Sequence, residues 1–298
     1  MSLMPMSAEA LGIDYVKFSK VAAFASGKGG VGKTTLTGNN ATKTASRGIP
    51  TLALDINGQG NLRREFGLDE GDKGERFYEA MRNGTPLVPV KNVRPNLDVV
   101  MGGEMVRQLN TLFLEIAQKD GPYAAFCRLA VCLQPLLEQY GVVWIDAPPE
   151  NPNMLMLVLC ACRWLVAPVK MDVCSLDDAL KDISGAFAAA KQVNQFLELL
   201  GIVHFGSPNG SAEIHREVVR EARKKLGKNT HVFDETIHAS FKTAKLARSL
   251  GLSVWELADL KRPEDKRLAG TIEKLGEAHD KLTTAMLRRM QSRLEMAA

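Results

Sequence analysis

The chain has 298 residues, enough for one large α/β domain or two small ones. Hydrophobic residues make up 45% and charged residues 24%, ordinary for a soluble globular protein, and no apolar run reaches the roughly 18 residues needed to span a bilayer. Net charge is +4, unevenly placed: Ser211 to Ala298 carry 18 basic and 13 acidic side chains, so that third holds +5 and the remainder −1.

The start, through Lys20, lacks a charged region followed by an apolar one and does not read as a secretory signal. Met1-Ser2-Leu3, ahead of a second methionine, reads as a cloning remnant and is left out of the fold. Val21–Ser26 is a short apolar run ending in glycines, which predicts a buried strand. A Gly-rich loop follows, then a helix from Thr34 that closes at Gly48. Pro50–Asp55 is a second buried strand, and Leu97–Met101, Val142–Asp146, Trp164–Val169 and Ile202–Phe205 are further ones. Helical stretches lie between them at Met105–Ala117, Tyr123–Glu138, Leu176–Phe196 and Ala212–Leu226. From Glu264 on, Leu268, Ile272, Leu275, Leu282, Met286 and Met290 recur at helical spacing. The alternation predicts an α/β fold, a mostly parallel sheet with helices on both faces. Residues 1–19 read as an N-terminal extension, 20–263 as the domain body and 264–298 as an amphipathic helix of the same domain.

Gly27 to Thr34 reads G-K-G-G-V-G-K-T, which satisfies the phosphate-loop pattern between a strand and a helix. Glycines let backbone N–H groups turn inward around phosphate oxygens, and the helix N-terminus adds its dipole. Gly29, Gly30, Val31, Gly32, Lys33, Thr34 and Thr35 form the phosphate-binding set. Lys33 places a cation on the β/γ-phosphates and Thr34 offers its hydroxyl to Mg²⁺. The strand Val142–Asp146 ends in an acid, where a Walker-B carboxylate holds Mg²⁺. Lys28 is one lysine more than a phosphate loop needs.

The segments KGGVGKTT, LALDINGQGN and VVWIDAPPE together resemble the ParA/MinD family of deviant Walker ATPases, and most of all the ParA partition proteins. The resemblance covers about Lys20 to Asp259. It implies a P-loop ATPase fold binding ATP and Mg²⁺, with Asp146 and Asp55 reaching the metal through water. It implies that Lys28 reaches across an ATP-dependent homodimer to phosphates bound by the other subunit, a cation supplied in trans. Non-specific DNA and a ParB-like centromere-binding protein are the implied partners, and plasmid or chromosome segregation in the cytoplasm, at the nucleoid, the implied role.

Two departures stand out. Asn57 occupies the place of the family's second aspartate, thought to orient the attacking water, and Gly58 replaces its proline. Asparagine can hold a water but cannot accept its proton as a carboxylate does, so weak hydrolysis is expected. In the stretch after Glu235, Ile237 and Gly251 match the family, but His238 and Ala239 replace its Pro-Arg pair. Pro208 and Asn209, in the turn after a strand, are candidate base contacts.

Lys242, Lys245 and Arg248 recur every three residues with no acid among them, one basic stripe on a helix. The resemblance makes them the candidate DNA contacts. Arg220, Arg223, Lys224 and Lys225 are interleaved with Glu217 and Glu221 and read as a solvated face. The segment before the phosphate loop is too short for a helix-turn-helix domain, so operator-specific binding is not expected. A MinD-like membrane tail would use Arg288, Arg289 and Arg293 beside Met286, Met290 and Leu294. Upstream acids and the lack of aromatic residues favour instead a helix packed on the core or on a dimer mate, without stable membrane association. A third reading is an ATP-gated DNA-binding scaffold with negligible turnover. Five cysteines without framework spacing fit a reducing compartment, and Cys160 and Cys162 read as small buried hydrophobes rather than cluster ligands.

Overall fold

The computed structural model describes residues 7–148, 151–170, 184–207, 212–260 and 266–296. Eight strands form one sheet: β1 Val21–Phe24, β2 Thr51–Asp55, β3 Val90–Arg94, β4 Leu97–Val100, β5 Val142–Asp146, β6 Trp164–Val169, β7 Glu198–Ser207 and β8 Ile237–His238. Their order is β3-β4-β2-β5-β1-β6-β7-β8, parallel except for the edge strand β3. The helices used below are α1 Lys33–Ser46, α2 Leu62–Glu65, α3 Glu75–Asn83, α4 Leu109–Asp120, α5 Pro122–Leu133, α6 Pro152–Cys160, α7 over 184–193, α8 Ala212–Leu226, α9 Phe241–Leu250, α10 Val254–Asp259 and α11 Lys266–Glu295.

The sheet is buried on both faces, as a parallel sheet requires. Alternate residues of β1 point opposite ways: Val21 and Ala23 join the core under α3 to α6, while Ala22 and Phe24 join the core under α1, α9 and α11. The second face holds α1, most of whose buried polar side chains are hydrogen-bonded, the Asn40 oxygen being an exception. Asn39 accepts from the Val254 N–H at 2.9 Å, and the indoles of Trp144 and Trp255 donate to Thr44 and Thr42. Ile272, Leu275, Leu282, Met286 and Met290 of α11 are all buried in that core. Arg289 donates to the Leu200 carbonyl and Arg293 pairs with Glu198, so the tail is tied to β7.

Several boundaries differ from the sequence expectation. Pro135 cannot continue a helix, so α5 ends at Leu133 and a 3₁₀ turn runs over Gln134–Gln139. A 3₁₀ turn at Glu104–Gln108 precedes α4. β7 starts four residues earlier than predicted, and α3, β3, β8 and α10 had no predicted counterpart. The first part of the helix expected at Leu176–Phe196, together with Pro208, Asn209 and Cys174, lies outside the described residues. Cys127, Cys132, Cys160 and Cys162 are buried thiols, and burial raises the pKa of each.

Candidate nucleotide site

The site lies at the C-terminal tips of the central strands, where open parallel sheets bind their ligands. The phosphate loop leaves β1 at the middle of the sheet and enters α1 through Gly32, at φ +86°. A β-carbon at Gly32 would lie 2.3 Å from the Phe205 ring, so glycine is required there by space as well as by dihedral angle. No side chain caps α1, which leaves its first N–H groups directed at the loop. The Lys33 ammonium lies inside the loop and donates to the carbonyls of Lys28 at 2.8 Å and Ser26 at 3.3 Å. Lys28 is half-buried on the rim.

Thr34 and Asp146 come together, with the hydroxyl donating to Oδ2 at 2.7 Å. Asp146 pairs in register with Asp55 on the adjacent parallel strand, so two carboxylates stand side by side at the strand tips. Both are buried. Asp55 accepts from the Asn57 and Leu62 N–H groups and so fastens the loop between them. Burial pushes its pKa up to about 7 against these bonds. The Asp146 carboxyl rises well above the usual range, first through burial and then through the Asp55 charge, with Glu65 adding to the effect and Thr34 and Lys33 opposing it. Asp146 Oδ1 is buried with no hydrogen-bond partner among the described residues. An orphaned carboxylate oxygen beside a threonine hydroxyl and a second carboxylate is a hard-oxygen donor set that fits Mg²⁺. Thr34 and Asp146 would hold the ion, which when bound offsets charge on the phosphates.

Asn57 is half-buried, and its side-chain oxygen accepts from the Gln59 N–H at 3.0 Å. Sequence reasoning missed Arg107, which donates to the Gly58 carbonyl. A β-carbon at Gly58 would lie 2.4 Å from Arg107 Cγ, so this side chain occupies the space of the family's proline. It also missed Lys170, at the tip of β6, whose ammonium lies 3.6 Å from where a β-carbon of Gly30 would stand. Neither carried a local signal, because both reach the loops from distant elements.

The basic stripe lies on α9. Lys242 and Lys245 are exposed on α9, next to Phe241, which is 91% exposed. Arg248 instead turns to the phosphate-loop helix: its Nε pairs with Glu65 at 2.9 Å and its Nη2 donates to Thr35 Oγ1 at 3.3 Å. Glu65 is buried, and nothing in its sequence neighbourhood marks it.

A family model for an AAA domain matches residues 19–199, more than half of the chain. The chain belongs to this family, in its ParA/MinD branch. It is 26% identical over 259 residues to the chromosome partitioning protein ParA of Caulobacter vibrioides, covering 78% of this chain and 93% of that one. It is 29% identical over 150 residues to the cell division protein PomZ of Myxococcus xanthus, which covers 50% of this chain but only 45% of PomZ. Among solved structures, pNOB8 ParA superposes with a TM-score of 0.70 at 16% identity, over 92% of this chain and 99% of that one. The septum site-determining protein MinD of Pyrococcus horikoshii, solved with Mg-ADP, gives 0.58 at 19% identity, over 89% and 94%. At these identities the structural likenesses establish the ParA/MinD fold alone.

Proposed function

We propose that this ParA/MinD-family chain is a partition ATPase. ATP·Mg²⁺ drives a face-to-face homodimer that binds DNA without sequence preference, and a ParB-like protein stimulates slow hydrolysis and release. The observation that carries this reading is the loop Gly27–Thr34, with Lys33 folded into it, Lys28 on its rim and Thr34 bonded to Asp146. In this reading the N–H groups of Gly29 to Thr35 cradle phosphate, Thr35 meets the α-phosphate, and Lys28 completes the partner's site. Lys242 and Lys245 contact DNA phosphates, with affinity that falls as salt rises. The burial of Met286 and Met290 in the core favours this over membrane attachment through α11, because the apolar face a membrane tail needs is already used.

Asn57 supports the companion reading of an ATP-gated scaffold with very slow turnover. Its oxygen already accepts from the Gln59 N–H, and its remaining lone pair and N–H donors can hold a water but cannot take that water's proton as a carboxylate does. An aspartate there could keep that bond with one oxygen and offer the other to the attacking water. Asn57→Asp is therefore expected to raise phosphate release by about tenfold or more. Steady-state release from Mg·ATP, with and without DNA, is the measurement; an unchanged rate would show that Asn57 is not what limits hydrolysis.

A further inference from the structure

Arg248, the third residue of the basic stripe of α9, differs from the other two in being held by an ion pair. Three contacts join Arg248, Glu65 and Thr35: Arg248 Nε to Glu65 Oε1 at 2.9 Å, Arg248 Nη2 to Thr35 Oγ1 at 3.3 Å, and Thr35 Oγ1 to the same Glu65 oxygen at 3.4 Å. The Glu65 side chain is 4% exposed, while that of Arg248 remains 50% exposed. Glu65 ends α2, the short helix directly after the loop that Asp55 fastens. Thr35 is the second threonine of the phosphate loop. The triad therefore joins three elements that are far apart in sequence at the edge of the phosphate site.

The joint is also close-packed in its backbone. Gly251, at φ +63°, caps α9, and a β-carbon there would lie 2.2 Å from the Gly67 Cα just beyond α2. The backbones at the ends of α9 and α2 thus touch, which sets the Arg248 backbone close to Glu65. Glu65 is paired here with Arg248 and accepts from Thr35. A buried carboxylate one hydroxyl away from the phosphate cradle repels a polyphosphate, and its field reaches Asp146.

We propose that Arg248 is a positioning residue of the nucleotide site and not a DNA contact: it screens the buried Glu65 carboxylate from bound phosphate and holds the Thr35 hydroxyl. The proposal rests on the reading of Gly27–Thr35 as the nucleotide loop, and is independent of any role in DNA binding. The test is the affinity for a fluorescent ADP and a fluorescent ATP, without DNA, in the full chain. Arg248→Ala is expected to weaken both by about tenfold, while Glu65→Gln leaves them near wild type. The double variant Arg248→Ala/Glu65→Gln is expected to recover most of the loss, because the charge to be screened is gone. A merely structural ion pair would show the same rescue, because losing one partner strands a buried charge, so Tm without nucleotide is followed in parallel. Affinity that falls in Arg248→Ala and partly recovers as added salt screens the charge supports screening, and affinity that only tracks Tm would overturn it. Arg248→Lys, which keeps the cation, is expected to fall between wild type and Arg248→Ala, and guards against misfolding as the cause. Nucleotide affinity unchanged in Arg248→Ala, with DNA binding lost, would overturn the proposal and return Arg248 to the DNA contacts. Failure of the double variant to recover would overturn the screening role. Should the wild-type protein bind nucleotide but no DNA, the partition reading falls while the Arg248 measurements still stand.

Discussion

Replacing Lys33 by alanine is expected to weaken ATP binding by about a hundredfold or more. The ammonium is buried in the phosphate loop, where it donates to the Ser26 and Lys28 carbonyls and needs only a small movement to meet an anion. Removing one partner of a buried, hydrogen-bonded charge pair costs roughly 2–5 kcal/mol, and each 1.4 kcal/mol is tenfold in affinity. Lys33→Arg is not expected to rescue binding, because a planar fork does not fit a loop shaped around a point charge. Titration with a fluorescent ATP analogue checks both, and an affinity within threefold of wild type for Lys33→Ala would contradict the assignment of the loop. A parallel melting curve without nucleotide should show only a modest change, since the hydrogen bonds of Lys33 to the Ser26 and Lys28 carbonyls lie within one loop.

Asp146→Asn is expected to separate function from stability. In the metal-free protein Asp146 and Asp55 are buried side by side, and their burial first, then the Asp55 charge beside Asp146, destabilises the fold at neutral pH. Asparagine keeps an acceptor for Thr34 and removes the second charge. The variant should therefore be more stable in EDTA by about 1–3 kcal/mol, a rise of several degrees in Tm for a chain of this size. Mg²⁺-dependent turnover should fall by about a hundredfold or more, because the orphaned oxygen that would take the metal is lost. The pH dependence has a fixed sign. Asp55 is pushed up to about 7 in the folded state, above its unfolded value near 4. The folded state thus binds more protons in that window, and wild-type stability in EDTA should rise as pH is lowered from 8 towards 5. Asp146→Asn should flatten that rise, and excess Mg²⁺ should reverse the wild-type cost. A lower Tm for the variant in EDTA would contradict the account of the strand-tip pair.

The parts of this site that were legible in the sequence are those whose signal is local. β1, the glycine loop and α1 occupy one continuous stretch, and the pattern and the structure coincide there. Asp146 was legible because an apolar run ending in an acid is itself a strand with a tip. β3 was not, because Val90–Arg94 is an edge strand with exposed Val90, Lys91 and Asn92 and shows no apolar alternation. β8 is two residues long and is held by pairing to β7, which no local pattern records. Arg248 shows the same limit at a single residue. Its three-residue spacing from Lys245 is visible in the chain, but Glu65 lies 183 positions away. A stripe read from spacing is blind to a partner supplied by another helix. Arg107 and Lys170 were missed for the same reason.

The central claim is that nucleotide state, through Lys28, controls attachment to DNA. The direct measurement is binding of a fluorescent DNA duplex of arbitrary sequence by wild type and Lys28→Ala in ATP, ADP and a non-hydrolysable ATP analogue, with molar mass followed in parallel. The expected result is DNA binding and a doubled mass only with ATP or the analogue. Lys28→Ala should lose both while still binding nucleotide as a monomer, and wild-type binding should fall steeply with salt. A protein that stays monomeric and ignores DNA in every nucleotide state would contradict the claim, and would leave the phosphate loop as an ATP site serving some other partner.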